Sequence, residues 1–344
     1  NKQLINSFSR ATVIATDTNS GGLAAEVGPG ALIDNSFTES GSVTGVDSTG
    51  GLVGSLEGTL RDSVSDIPVT SSGRRAGGAV GVAIDATIDT VSSLADHTFD
   101  RTSGGLVGEL LNSDLINSFS EGDITSTAAE VGGLIGKVTA GANESLQITD
   151  VYSSANVSSG LGNSIGGLIG IIEAQGNSTV DMNAVFATGN IGDDFALATQ
   201  NYGGLFGVID TQSGSNVNVQ DCYSTGQVLA GSSAGGLMGG FLLSLGNISL
   251  TRCYTASPLL GGSTNRGGLF GNSDTHITVT DVLWDRDATN QDFAAGSGVF
   301  GGSPISYTTP EMQDFSNSVY TNYDFVTIWR EPNGVGYPEL RFAN

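Results

Sequence analysis

Positive charge is scarce in this chain. Of its 344 residues 12 are Lys or Arg, against 35 Asp or Glu, and the formal net charge is −23. Such a surface repels phosphate backbones and anionic headgroups, so neither nucleic acid nor membrane insertion is expected. Lysine is rarest, at Lys2 and Lys137 alone. Low lysine with excess acid suits a protein working in strong salt, although acidic secreted proteins of ordinary habitats look the same. Two cysteines, Cys222 and Cys253, are too few for a disulfide framework. Two histidines, His97 and His276, neither within H-E-x-x-H, leave no zinc-peptidase motif, and G-x-x-x-x-G-K-[ST] does not occur. Long apolar runs are missing too. The most apolar stretch, "GGLMGGFLLSLGNISL" (235–250), is broken by glycines and falls short of the ~18 residues of a membrane span. The first residues, "NKQLINSFSR", do not read as a signal peptide but as the interior of a repeat, so a portion of a longer polypeptide is expected.

Glycine is plentiful, at 52 residues, and its placement is periodic. A double glycine followed by two mostly apolar residues recurs at Gly21, Gly50, Gly77, Gly104, Gly132, Gly166, Gly203, Gly235 and Gly267, at intervals of 27 to 37. Between these lies a second motif, as in LINSF (4–8), LRDSV (60–64), VQDCY (219–223) and LTRCY (250–254). One half of each unit is nearly constant in length. The other grows in the four units beginning at Gly132, Gly166, Gly203 and Gly235. Such spacing belongs to a coil whose strands must stack while one turn lengthens. Helix formers are few and β-branched residues many, with alternating runs such as "NVNVQDCYS" (216–224). The expectation is an all-β parallel β-solenoid (β-helix) of about ten coils over 1–290, with a small C-terminal cap over 291–344. The glycines are expected to supply positive φ and close backbone approach at a corner, and the leucines beside them to fill a buried column.

The third residue of the second motif is Asn6, Asn35, Asp62, Asp89, Asn117, Asp150, Ala184, Asp221, Arg252 or Asp281. As an ion ladder this column would not accept Ala184 and Arg252, whereas Asn and Asp commonly mark left-handed corners. The next residue is small, which places Cys222 and Cys253 one above the other. Buried free thiols are expected there, with a disulfide geometrically conceivable. An aromatic column follows (Phe8, Phe37, Phe119, Tyr152, Phe186, Tyr223, Tyr254), and sequence leaves open whether it faces in or out.

The alternation of GGLVG, GGLIG and GGLFG with "DCYSTGQV" and "AVFATGNI" resembles the GLUG-motif repeat family. The tail "VLWDRDATNQ" (282–291), "YTTPEMQD" (307–314) and "YDFVTIWREPNGVGYPELRF" (323–342) adds to the likeness. The resemblance covers nearly the whole chain, departing at GGLAA and GGAVG. It implies a secreted or cell-surface adhesin-type repeat, and location far better than activity.

Chemistry is thin. The G-x-S-x-G matches "GNSIG" (162–166) and "GSSAG" (231–235) share one repeat register, so the repeat generates them rather than a nucleophile elbow. Glu57, Glu109, Glu173 and the "GDDF" pair Asp193 and Asp194 are carboxylates by type only. Asp285, Asp287, Asn290 and Asp292 offer oxygen ligands for Ca2+, without the glycine and distal glutamate of an EF-hand; a solvated turn is the simpler expectation. N-x-[ST] sequons occur at Asn143, Asn156, Asn177 and Asn247. The lengthened turns around 138–146, 174–179, 210–216 and 243–248 are expected to stack into a ledge. The expected role is a non-enzymatic extracellular adhesin or spacer binding a cell-surface or matrix ligand, carbohydrate or protein. A secreted carbohydrate-active enzyme and a filament subunit joined through its N-terminal coil edge are the alternatives.

Overall fold

The computed structural model describes residues 2–127, 129–160, 162–192, 200–261, 264–316 and 318–342. Successive repeats wind into a parallel β-solenoid of roughly ten coils with four faces. One coil runs Ser145–Ser153 on the first face, Val157–Ser159 on the second, Ser164–Gly166 on the third and Ile169–Ala174 on the fourth. Every pairing between coils is parallel and joins equivalent residues of neighbouring repeats. The first face carries eleven rungs from Gln3–Ile5 to Gly301–Gly302, a rod roughly 50 Å long at about 4.8 Å per rung.

The core is made of stacked columns. Leu52, Leu106, Leu134, Leu168, Leu205, Leu237 and Leu269 are all fully buried, as the repeat predicts. Facing them across the coil, Leu60, Ile88, Leu115, Ile148, Met182, Val219 and Leu250 form a second column in unbroken register. Each buried aliphatic side chain contributes about 1.5–3 kcal/mol, so a column of them carries the stack.

None of the double glycines has left-handed backbone, contrary to half of the sequence expectation. Close approach alone requires them. A Cβ on Gly51 would lie 2.0 Å from Ser65 Oγ and 2.2 Å from the carbonyl oxygen of Gly78 in the next coil. Positive φ belongs instead to the Asn/Asp corner, where Asn6, Asn35, Asp62, Asn117, Asp150, Ala184, Asp221, Arg252 and Asp281 lie between 46° and 54°. In the fourth unit that corner is Thr90 (φ 57°), not Asp89, because Arg61 pairs with Asp89 and Ser63 with Val91. Just inside the corner, Ser36, Ser63 and Ser118 are buried; each hydroxyl donates to a carbonyl two residues back and accepts an N–H from the neighbouring coil.

The two cysteines occupy the same inner position in adjacent coils. They are joined by a disulfide, which corrects the expectation of free thiols. In-register stacking holds their Cα atoms 4.5 Å apart, within the span a disulfide bridges.

The aromatic column faces outward. Phe119, Tyr152, Phe186, Tyr223 and Tyr254 stack nearly parallel with ring centroids 4.6–5.2 Å apart. Beyond residue 308 the C-terminal segment lies along this flank, so Trp329, Leu340 and Phe342 do not cover the last coil, which the first part of the expected cap does. Trp329, Leu340 and Met312 are buried against the ladder, and Phe342 packs on Tyr152 and Phe186. The rod's end is finished by Ala295–Gly298, Gly301–Gly302 and Ile305–Tyr307, which add to the sheets, while Phe300 packs edge-on against Phe270.

The four longer units do not loop outward. Their extra residues lengthen strands, and Leu146, Val180, Val217 and Ile248 form an added inner column that widens the rod. The connecting turns still stack: the amide of Asn143 donates to the Gly176 carbonyl, and Asn177 Nδ2 lies 3.4 Å from Asn143 Oδ1.

Candidate functional site

In the early coils, the bend between the second and third faces carries unusual side chains. Pairing of Ala76 with Ser103, and of Ser103 with Val131, places Arg74 above Arg101 and Arg75 above Thr102 and Glu130. The fourth face sets Glu109 beside Lys137 in register. Together these residues and Ala129 line an open cleft of about 520 Å³. Four of the chain's 12 Lys and Arg residues line it, against two carboxylates.

Two of the cations are already paired. Arg75 reaches Asp47 at 3.1 Å and Lys137 reaches Glu173 at 2.8 Å. Among the described residues Arg74 and Arg101 have no carboxylate partner, and Nε of Arg75 is buried with no acceptor. Arg75 also sits at φ 60°, a conformation a long side chain adopts only under constraint from its surroundings. Thr102 Oγ1 donates to Glu130 at 2.8 Å. Burial raises the Glu109 carboxyl above the usual range, against the pull of Lys137 and Arg75. Burial pulls the Lys137 ammonium down, but its hydrogen bond to Glu173 and the surrounding carboxylates leave it raised overall. Further along this face Glu173 is the register partner of Asp210, whose carboxyl is raised by burial and by Glu173.

A second open cleft, about 500 Å³, lies on the first face of the widened coils. Gln147, Asp181, Asn218 and Ser249 stack there, with Asn218 Nδ2 donating to Asp181 at 2.8 Å and Ser249 Oγ donating to Asn218 at 2.9 Å. Neighbouring columns are also amide or hydroxyl: Thr149, Asn183, Gln220 and Thr251 on one side, Ser145, Thr179, Asn216 and Asn247 on the other.

The residues singled out from sequence are dispersed. Asp285 is fully buried as a helix N-cap, accepting from the amides of Asp287 and Ala288 and from Tyr337 Oη at 2.6 Å. Asp287 accepts from the Thr309 amide, Asn290 is the left-handed C-cap, and no contact draws Asp292 toward them. Among the described residues no group of three or more His, Cys, Asp or Glu is placed to hold a metal. Asn143, Asn177 and Asn247 are exposed on the stacked turns. Asn156 is tied into a ladder, its Nδ2 donating to Asp123 and its Oδ1 accepting from the Asn190 amide. Ser164 and Ser233 are buried strand residues. Glu57 is exposed at a turn, and Asp193 and Asp194 lie outside the described residues. His276 is part-exposed beside Asp274, whereas His97 is buried.

The arginine cleft escaped the sequence reading, although a signal existed. Arg74 and Arg101 stand one repeat apart, as do Glu109 and Lys137, so identical phase in the repeat would have stacked them. No family model, no curated protein and no solved structure matches this chain.

Proposed function

We propose that the chain is a non-enzymatic, extracellular adhesin or spacer module of the GLUG-repeat kind. The observation that carries this reading is the outer surface of the widened coils, where three adjacent columns of amide, hydroxyl and carboxylate groups repeat at each rung. A rigid lattice of donors and acceptors suits a long polar ligand lying along the rod, and its ordering costs nothing on binding. The buried disulfide supports a location in an oxidising compartment, outside the cytosol. The acidic, lysine-poor surface suits the same setting. Beads coated with the chain should attach to cells or to matrix polysaccharide. Attachment no better than that of beads carrying an inert protein would refute the role.

A second reading, a secreted carbohydrate-active enzyme, has one observation in its favour: the raised carboxyls of Glu109 and Asp210, the latter beside Glu173. Carboxyls of elevated affinity for protons are the usual acids of glycoside cleavage. Catalytic release of reducing ends or unsaturated sugars from acidic polysaccharides would move the assignment to that class.

A further inference from the structure

We propose that the cleft lined by Arg74, Arg75, Arg101 and Lys137 binds the acid group, carboxylate or sulfate ester, of an anionic polysaccharide. The inference deepens the adhesin reading and rests on it. Two guanidinium groups, Arg74 and Arg101, lie one rung apart with no carboxylate partner among the described residues, at the mouth of an open cleft. A rung is about 4.8 Å, so both forks can reach one three-oxygen or two-oxygen anion seated between them. Arg75, held by Asp47 at 3.1 Å, and Lys137 add positive charge to the same lining.

The surrounding charge selects the polymer. At net −23 the rod repels densely charged chains such as nucleic acids, with a phosphate every few ångströms. A polysaccharide with one acid per sugar or per disaccharide places one charge in the cleft and its neighbours beyond it. The remaining wall, Glu130 with Thr102, and Glu109, offers hydrogen-bonding partners to sugar hydroxyls rather than to a second anion.

The test is titration of the intact chain with labelled oligogalacturonate, a sulfated dextran oligomer, neutral dextran and an oligodeoxynucleotide, at low and at high salt. An anionic saccharide should bind, more weakly at high salt, and neutral dextran should not. Which anionic saccharide binds identifies the acid. The double variant Arg74→Ala/Arg101→Ala should weaken that binding by about tenfold or more, whereas Arg286→Ala, a surface cation at the far end, should leave it unchanged. Both substituted arginines are exposed, so unchanged circular dichroism is expected to show that the variant folds. Equal loss in Arg286→Ala, no loss in the double variant, no binding of either anionic saccharide, or preference for the oligonucleotide would each overturn the site. Bead attachment measured with the same double variant separates the two ideas: attachment retained with saccharide binding unaffected removes the cleft and leaves the adhesin.

Discussion

His97 offers a sharp test of how this core is built. Val69 pairs with His97 and His97 with Ile124, so the imidazole stands in a column that is otherwise aliphatic, through Val157, Ile191 and Val228. It is 3% exposed and packs on Phe99. Nδ1 accepts the Val69 amide at 3.2 Å, so the proton sits on Nε2, 2.9 Å from Ser93 Oγ. Protonation would turn Nδ1 into a second donor facing that amide, inside an apolar wall. Burial accordingly pulls the His97 pKa down to about 3, from the usual 6.5 of histidine. Because the folded form holds the proton more weakly, the unfolded chain binds more protons between those values. Stability from neutral His97 is complete above pH 6.5 and is lost as pH falls toward 3. At pH 4.5 the gap of two units corresponds to a loss of about 2.7 kcal/mol relative to neutral pH. Carboxylates titrate in the same range, so the comparison needs a variant. His97→Ile repeats the residue of the following coil and frees the Val69 amide to pair with backbone. Urea unfolding at pH 7 and 4.5, with hydrogen exchange at the Val69 amide, should show a smaller acid loss in the variant by about that amount. Identical acid sensitivity in both proteins, or an imidazole titrating near 6.5 by NMR, would refute the argument.

Other outcomes follow from the same geometry. The oxidised chain should carry no alkylatable thiol, and Cys222→Val/Cys253→Val, matching Val185 and Val282 in the same column, should fold with a loss of up to about 3–4 kcal/mol in chemical denaturation. Gly105→Ala, whose Cβ would lie 2.2 Å from the Gly133 carbonyl oxygen, should cost about 1–3 kcal/mol, while Gly28→Ala, with nothing within 4 Å, should be near neutral in thermal melts. Trp329→Phe removes the Nε1 bond to buried Asp221 at 2.8 Å, and should cost about 1–3 kcal/mol and hasten proteolysis between residues 308 and 342. Expressed in a host that glycosylates asparagine, the chain should carry glycans at some of Asn143, Asn177 and Asn247 and none at Asn156, by glycopeptide mapping.

The stack itself was legible because a parallel coil writes its register into one dimension. Every residue of a column recurs at the repeat length, so Leu52 through Leu269 and the left-handed corner could be placed from spacing. Where the motif is spelled one residue out of phase with the strands, as at Asp89 and Thr90, composition misleads: Asp looks like a corner residue, and only strand pairing shows that Thr90 occupies the bend. What the repeat does not encode is which face a non-repeating segment chooses. Trp329 and Phe342 had an aliphatic coil end and an aromatic flank available, and the larger ring surface at Tyr223 and Tyr254 lies on the flank. The cleft was hidden for a related reason. Its walls are two faces of different coils, and a linear reading of charge treats Arg74 and Glu109 as unrelated. Spacing set Cys222 over Cys253, but a Cα–Cα distance of 4.5 Å, short enough for a disulfide, is read only from the structure.

The strap that lies along the flank gives the rod an uneven response to load. From Tyr152 to Tyr254 the coils are laced together sideways by Phe342, Trp329 and a covalent link between two rungs. The aromatic ladder of the earlier coils is interrupted at Val64 and Ser92, and among the described residues no strap crosses it. Under tension along its axis the later coils are therefore braced and the earlier ones are not. Coils before Phe119 would give way singly, each paying out roughly 90 Å of chain for a rung of about 4.8 Å. A rod built this way would lengthen in steps under a sudden pull while the braced coils keep their shape.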